Sequence, residues 1–180
     1  MPDAADDAAP HAVAPADAAF ESLFRREWGR VVALAQRVLG ERAAAEDVAQ
    51  EVFWAALRRG VARLPRPSAW LHTASVHTAL NVLRTEDRRR RREARAHGAL
   101  GRDPTPDPVA DAERRERVRA VRAALARLPS RQAAILVLRH SGLTYAEIAF
   151  ALRLRPSSVG TLLRRAEEAF ARRYTLHAPE

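Results

Sequence analysis

Between residues 96 and 110 the chain reads AHGALGRDPTPDPVA, with three prolines and two glycines, and this stretch divides a sequence patterned for helices on both sides. Proline fixes φ and removes a backbone donor, so neither a helix nor a central strand runs through such a stretch. The chain must therefore be built from two short, separately patterned segments. Neither shows convincing strand alternation, whereas apolar residues recur every three or four positions, the spacing of an amphipathic helix. The expected fold is all-α: two small helical domains, at 19–95 and 112–175, joined by a flexible linker at 96–111.

In the first segment Phe20, Leu23, Phe24, Val31, Leu34, Ala35 and Val38 predict a helix to about Leu39, stopped by Gly40. A second helix is expected from about Ala43 to Arg58, with Val48, Val52, Phe53 and Ala56 facing inward. Gly60, Pro65 and Pro67 then break the chain. A third helix follows from about Ser68 into the arginine-rich run, packing Leu71, Ala74, Ser75, Leu80 and Leu83. Residues 1–18, made mostly of Ala, Asp and Pro, read as a disordered acidic tail.

Beyond the linker, Val118, Val121, Leu125 and Leu128 form one stripe, ended by Pro129. Ser130 is placed to cap a helix carrying Ile135, Leu136 and Leu138. Thr144 and Glu147 make a T-x-x-E capping box ahead of Ile148 and Leu152. Pro156 suits the first turn of a last helix reaching Tyr174. Only 6% of residues are aromatic and alanine supplies much of the apolar content, so the cores should be thin helical ones.

Composition excludes several chemistries. With no cysteine there is no disulfide scaffold, Cys-ligated zinc or thiol nucleophile. His72 and His77 are five apart, on different helical faces, where a helical metal pair needs three or four. Glu46, Asp47 and Glu51 have no phosphate loop, nucleophile elbow or ligand cluster beside them, so neither an enzyme nor a resident cofactor or metal is expected. The longest uncharged stretch, Pro67–Leu83, holds His72, Thr73, Ser75, His77, Thr78 and Asn81 and is too polar to span a bilayer. The acidic start at Asp3, Asp6 and Asp7 is the opposite of an export signal. A soluble cytoplasmic protein is expected.

The net charge of +9 points instead to a polyanionic partner. All 31 basic residues are arginine, which suits bidentate contact with phosphate and guanine, although G- and C-rich codons favour arginine equally. Residues 142–173 have the helix–turn–helix layout whose second helix enters the major groove. Its early part carries Ser157, Ser158, Thr161, Arg164 and Arg165; a plain helical hairpin with a solvated face is the bland reading. Arg88–Arg95 holds six arginines in eight residues, either a solvated helix end or a phosphate-seeking block. Upstream on the same helix run Trp70, Thr73, His77, Asn81, Arg84 and Arg88, either ordinary surface or a platform for unstacked bases. Glu46, Asp47, Gln50, Glu51 and Trp54 form an acidic patch with an aromatic edge. It either meets a basic protein or balances nearby arginines.

In order and content these pieces resemble the extracytoplasmic-function (ECF) sigma factors, small two-domain subunits of bacterial RNA polymerase. The resemblance rests on Phe20-Glu-Ser-Leu-Phe24, Ala45-Glu-Asp-Val-Ala-Gln-Glu-Val-Phe53, Ala69-Trp-Leu71 with its arginine-rich sequel, Leu143-Thr-Tyr-Ala-Glu-Ile-Ala149 and Ser158-Val-Gly-Thr-Leu-Leu-Arg-Arg-Ala166. It implies that Glu46, Asp47, Gln50, Glu51 and Phe53 meet the β′ clamp helices of core RNA polymerase, whose β flap is a further partner. It implies that the loop 59–67, with Arg63 and Arg66, captures a base flipped from the −10 element. Trp70, His77, Asn81, Arg84 and Arg88 would then hold the separated strand. Arg155, Ser157, Ser158, Thr161, Arg164 and Arg165 would read or clamp the −35 element. An anti-sigma factor is a further partner the resemblance leaves open.

The chain departs from the family pattern at Arg153, where the turn usually has Gly, at Gly160-Thr161-Leu162, where a basic-Ser-Arg triplet is common, and at His77, where Asn is common. A linker of about 15 residues at ~3.4 Å each reaches roughly 50 Å. One DNA turn is ~34 Å, so two separated promoter elements are within span. A standalone helix-turn-helix regulator is the alternative reading, and a basic helical RNA-binding protein a third.

Overall fold

The structure, a computed structural model, describes residues 15–97 and 109–175. Among these are seven α-helices and no strand. The first module comprises α1 (Pro15–Leu39), α2 (Arg42–Arg58) and α3 (Pro67–His97), with a single 3₁₀ turn at Val61–Arg63 before α3. The second comprises α4 (Val109–Arg127), α5 (Ser130–His140), α6 (Tyr145–Ala151) and α7 (Pro156–Thr175). Three ends differ from expectation, one of them the start of α4 at Val109, inside the stretch 96–111 expected as linker. α1 begins at Pro15, a residue suited to a first helical turn, and so takes in part of the expected tail. α3 runs through the arginine block to His97, and the rest of the expected linker, 98–108, lies outside the described residues with the tail 1–14.

The first module is three helices around one core. Leu23, Val31, Leu34 and Val38 of α1 meet Val48 and Val52 of α2 and Leu71, Leu80 and Leu83 of α3, all buried. Phe53 is 3% exposed and sits within an aromatic group, its ring centroid 4.9 Å from Phe24 and 5.8 Å from Trp28. Gly40 ends α1 with φ 79°, a conformation that costs glycine nothing, and its N–H closes on the Gln36 carbonyl at 2.7 Å.

One buried polar group ties α3 to α1. The Glu27 carboxylate accepts from Ser68 Oγ at 2.7 Å and lies 3.0 Å from His72 Nε2. Burial pushes the carboxyl up, but the bonds from Ser68 and His72 outweigh it and hold Glu27 below the ordinary carboxylate range. Burial also pushes the His72 ring down, further than Glu27 raises it, so the ring is neutral at pH 7. A carboxylate oxygen can only accept, so Nε2 carries the ring proton and donates. Three residues further along the inner face of α3, Ser75 Oγ donates to the Val31 carbonyl at 2.9 Å.

The second module packs Leu125, Leu128, Ile135, Leu138, Leu143, Ile148, Val159 and Leu163 around a floor of buried alanines, Ala133, Ala134, Ala149, Ala166 and Ala169. Small side chains let these helices approach closely, which is how a chain poor in aromatics closes a core. Val118, expected in the inward stripe, is 44% exposed, because α4 turns only its later residues to the core. The capping box of α6 forms as expected, with Glu147 N–H donating to Thr144 Oγ1 and Thr144 N–H to the Glu147 carboxylate.

The two modules lie against one another. The surface of α3 turned away from its own core meets α4, α5 and α6, and buried residues of both modules form one continuous apolar cluster.

Folded His72 rejects a proton that the unfolded ring accepts near its ordinary value of about 6.5, so the fold loses stability as pH falls through that value. His72→Gln keeps a donor for Glu27 and removes the titration. Urea midpoints measured from about pH 7 to about pH 5 should fall less steeply in this variant than in the parent chain.

Candidate polymerase and nucleic-acid interfaces

On α2 the helical repeat places Asp47, Gln50, Glu51 and Trp54 on one side, all exposed, while Val48, Val52 and Phe53 line the other. Glu46, at the margin of that face, is held by Arg42 Nε at 2.7 Å. Trp54 is 60% exposed with the Arg58 guanidinium 6.0 Å from its ring. Phe53 has to be corrected: its ring is enclosed by Phe20, Phe24 and Trp28, so it supports the acidic face from beneath and does not touch a partner. Trp54, one residue on, is the aromatic that is presented.

The α3 stripe is a real face, and half of it is in contact with the second module. Asn81 and Arg88 are exposed, as are Arg63 and Arg66 in the preceding loop. Trp70 and His77 are half-buried in the cleft between the modules. Burial, reinforced by the Arg84 charge, holds His77 below its ordinary value, so it offers a neutral ring. The Arg59 guanidinium lies 5.7 Å from the Trp70 ring centroid, a contact no spacing argument signals because it comes from the end of the preceding helix. Arg66 stacks on Phe150 of α6 at 4.4 Å, and Thr73 Oγ1 is 3.1 Å from the Ala151 carbonyl.

Arg84 makes the densest set of contacts. It donates from Nη1 to Ser130 Oγ at 2.8 Å, from Nη2 to the Leu128 carbonyl at 3.1 Å and from Nε towards the Ala126 carbonyl at 3.4 Å. Its acceptors are two carbonyls at the end of α4, a natural seat for a cation, and the Ser130 hydroxyl where α5 begins. Arg122 Nη2 donates to Glu86 at 2.9 Å across the same boundary. Within the arginine block, Arg91 pairs with Asp87 at 2.7 Å and Arg89 with Glu93 at 3.8 Å, so carboxylates one turn away relieve part of the repulsion.

At the start of α7 the structure brings Arg155, Ser157, Ser158, Thr161 and Arg165 around one concavity. Arg164 points off it and pairs with Glu168 at 2.5 Å. Two arginines that the motif reading passed over, Arg131 and Arg153, complete the rim. Arg131, at the start of α5, donates to the Leu152 carbonyl at 3.3 Å. Arg153 ends α6 in the left-handed conformation, φ 52°. Leu154 N–H reaches back to the Ala149 carbonyl at 2.7 Å and Arg153 N–H to Phe150 at 3.3 Å, the Schellman pattern. The end of α5 has the same pattern around Gly142, φ 85°, so the turn keeps its shape without its usual glycine.

Residues 23–89 match the model of the family described as Sigma-70 region 2, and residues 118–170 match Sigma-70, region 4. The chain is thus a sigma-70-type transcription factor carrying both promoter-reading regions. It is 30% identical over 153 residues to the "ECF RNA polymerase sigma factor SigK" of Mycobacterium sp. (strain KMS), covering 81% of this chain and 78% of that one. It is 30% identical over 151 residues to the SigK of Mycobacterium ulcerans, with coverage of 81% and 80%. A "Probable RNA polymerase sigma factor RfaY" of Xanthomonas campestris is 31% identical over 164 residues, 87% of this chain but 40% of that protein. The chain belongs to the ECF sigma factor family. It binds core RNA polymerase and promoter DNA and directs transcription initiation, and sigma factors in general are not enzymes. Among the described residues no helix is long and apolar enough to cross a membrane.

A left-handed conformation costs a non-glycine residue about 1–2 kcal/mol. Arg153→Gly should therefore raise the thermal stability of the chain while weakening duplex binding at raised salt, because the same change removes a rim cation. Melting curves and a salt titration of duplex affinity check the two halves separately.

Proposed function

We propose that the exposed face of α2 is the polymerase-docking surface, with Asp47, Gln50, Glu51 and Trp54 meeting the basic side of the β′ clamp helices and Glu46 at its edge. The observation that carries this is the separation of the two sides of α2: among the described residues the acidic, indole-bearing side is exposed, while the other side is core. An acidic face on a protein of charge +9 is not for DNA, and a partner of opposite sign accounts for it. The second module would reach the β flap, and an anti-sigma factor would compete for one of these surfaces. The chain would work in the cytoplasm, as a non-enzyme without a cofactor.

In the same reading residues 19–95 act as region 2, 96–111 as the spacer and 112–175 as region 4. The loop with Arg63 and Arg66 receives a base unstacked from the −10 element. Trp70, His77, Asn81, Arg84 and Arg88 hold the displaced strand, trading an unstacking cost of a few kcal/mol for stacking and phosphate contacts. Arg155, Ser157, Ser158, Thr161 and Arg165, on one concavity at the start of a 20-residue helix, engage the −35 major groove. Arg131 and Arg153 clamp the adjoining phosphates. Arg164 reaches DNA only by leaving Glu168. The standalone-regulator reading loses its support, because a ligand-sensing or dimerising first module has no reason to match region 2.

Asp47→Arg with Glu51→Arg should abolish co-elution with core polymerase from the chain's own source while circular dichroism stays unchanged; a retained stoichiometric complex would refute the docking face. On duplex DNA, Arg165→Ala should lower affinity evenly across sequences and reduce the salt slope by about 1. Arg164→Ala should instead cost about 1–3 kcal/mol at the −35 element alone, the signature of a guanine contact.

A further inference from the structure

We propose that the cleft lined by α3 and α6 is a binding site for a free nucleotide, with the base against Trp70 and Phe150 and the phosphates on the arginines around them.

The cleft holds about 1080 Å³, the upper end of the range of about 300–1,000 Å³ for small-molecule sites, which favour junctions of this kind. Each module contributes one large aromatic side chain, half-buried Trp70 from α3 and Phe150 from α6, and Leu64, Pro65, Leu152 and Leu154 add apolar lining. Arg59, Arg66, Arg131 and Arg153 line it too, and among the described residues no acidic side chain does. Carboxylates neutralise Arg91, Arg122 and Arg164 elsewhere, but nothing of that sign faces these four. Four like charges around an apolar hollow draw anions into it. Two of them already lie against the rings, Arg59 at 5.7 Å from the centroid of Trp70 and Arg66 at 4.4 Å from that of Phe150. Each aromatic surface therefore comes with a cation beside it, as a flat ring joined to an anion requires.

Size and charge narrow the class of ligand. A single-ring carboxylate would fill a small part of the space and neutralise one charge of four. Inorganic phosphate would leave both rings and the leucines uncovered. A nucleoside triphosphate brings a flat ring system and several negative charges together. His77, neutral in the same cleft, can donate from one ring nitrogen and accept at the other, which suits the edge of a base. Arg131 and Arg153 also line the concavity at the start of α7. A nucleotide seated here would withhold Trp70 and His77 from the −10 strand and Arg153 from −35 phosphates, a consequence that rests on the function proposed above; the site itself does not.

Calorimetric titration of the full chain with ATP, without divalent metal, should show one saturable site with a Kd below ~1 mM. Adenosine and inorganic triphosphate should each bind about tenfold more weakly or worse, because each lacks one half of the contacts. Phe150→Ala should weaken ATP about tenfold and leave triphosphate unchanged. Arg131→Ala with Arg153→Gly should weaken both ligands. Arg90→Ala with Arg92→Ala removes the same charge from exposed positions of α3 outside the cleft and should weaken neither. Triphosphate that binds as tightly as ATP, or equal losses in the two arginine pairs, would reduce the effect to loose attraction by a basic chain and overturn the site. ATP affinity unchanged by Phe150→Ala would overturn the two-walled cleft. No DNA is present in these titrations, so a failed nucleotide site and a failed strand-holding face remain separate results.

Discussion

The buried carboxylate of Glu27 determines which way α3 faces. Ser68 and His72, one turn apart at the start of α3, both end on its two oxygens, and Ser75 then fastens the next turn to the α1 backbone. A helix gripped at three points on one side has no rotational freedom left. Leu71, Leu80 and Leu83 are committed to the core, and Trp70, Thr73, His77, Asn81, Arg84 and Arg88 to the opposite side. A wholly apolar contact would tolerate rotation of the helix by a few tens of degrees; a hydrogen-bonded carboxylate does not, because a misaligned charge would be buried without partners. The orientation of the face that carries Trp70, His77, Asn81 and Arg84 thus comes from a buried polar group on the other side of the helix.

Much of this architecture was legible before any coordinates. Gly40, Pro129, the Thr144–Glu147 box and Pro156 punctuate helices by local chemistry, and local chemistry is what a sequence carries openly. The acidic face of α2 and the cluster around Ser157, Ser158 and Thr161 followed from helical spacing in the same way. What spacing could not give was depth. Phe53 and Trp54 are neighbours in sequence, and only the aromatic group formed with α1 decides that the first is enclosed and the second presented.

The contacts between modules were illegible for a different reason. Arg84 and Thr73 are satisfied by backbone carbonyls, and carbonyls leave no mark in a sequence. Arg131 joins the rim of the α7 concavity from another helix, 22 residues before Arg153, so no linear motif contains both. Arg153 itself was visible as a departure from glycine. The structure shows that hydrogen bonds from Arg153 and Leu154 to the preceding turn enforce the backbone shape that glycine would adopt freely. The turn keeps its geometry and gains a cation.

The three tryptophans are distributed as if to serve as separate gauges. Trp28 is packed beside Phe24 and Phe53, Trp54 stands in solvent on the acidic face, and Trp70 lies in the cleft beneath Arg59. Their emission therefore resolves by environment: Trp28 reports on the integrity of the first module's core, Trp54 on the α2 face, and Trp70 on what fills the cleft. Chains retaining one indole each would report on core, face and cleft separately in real time by their own ultraviolet light, with no dye attached.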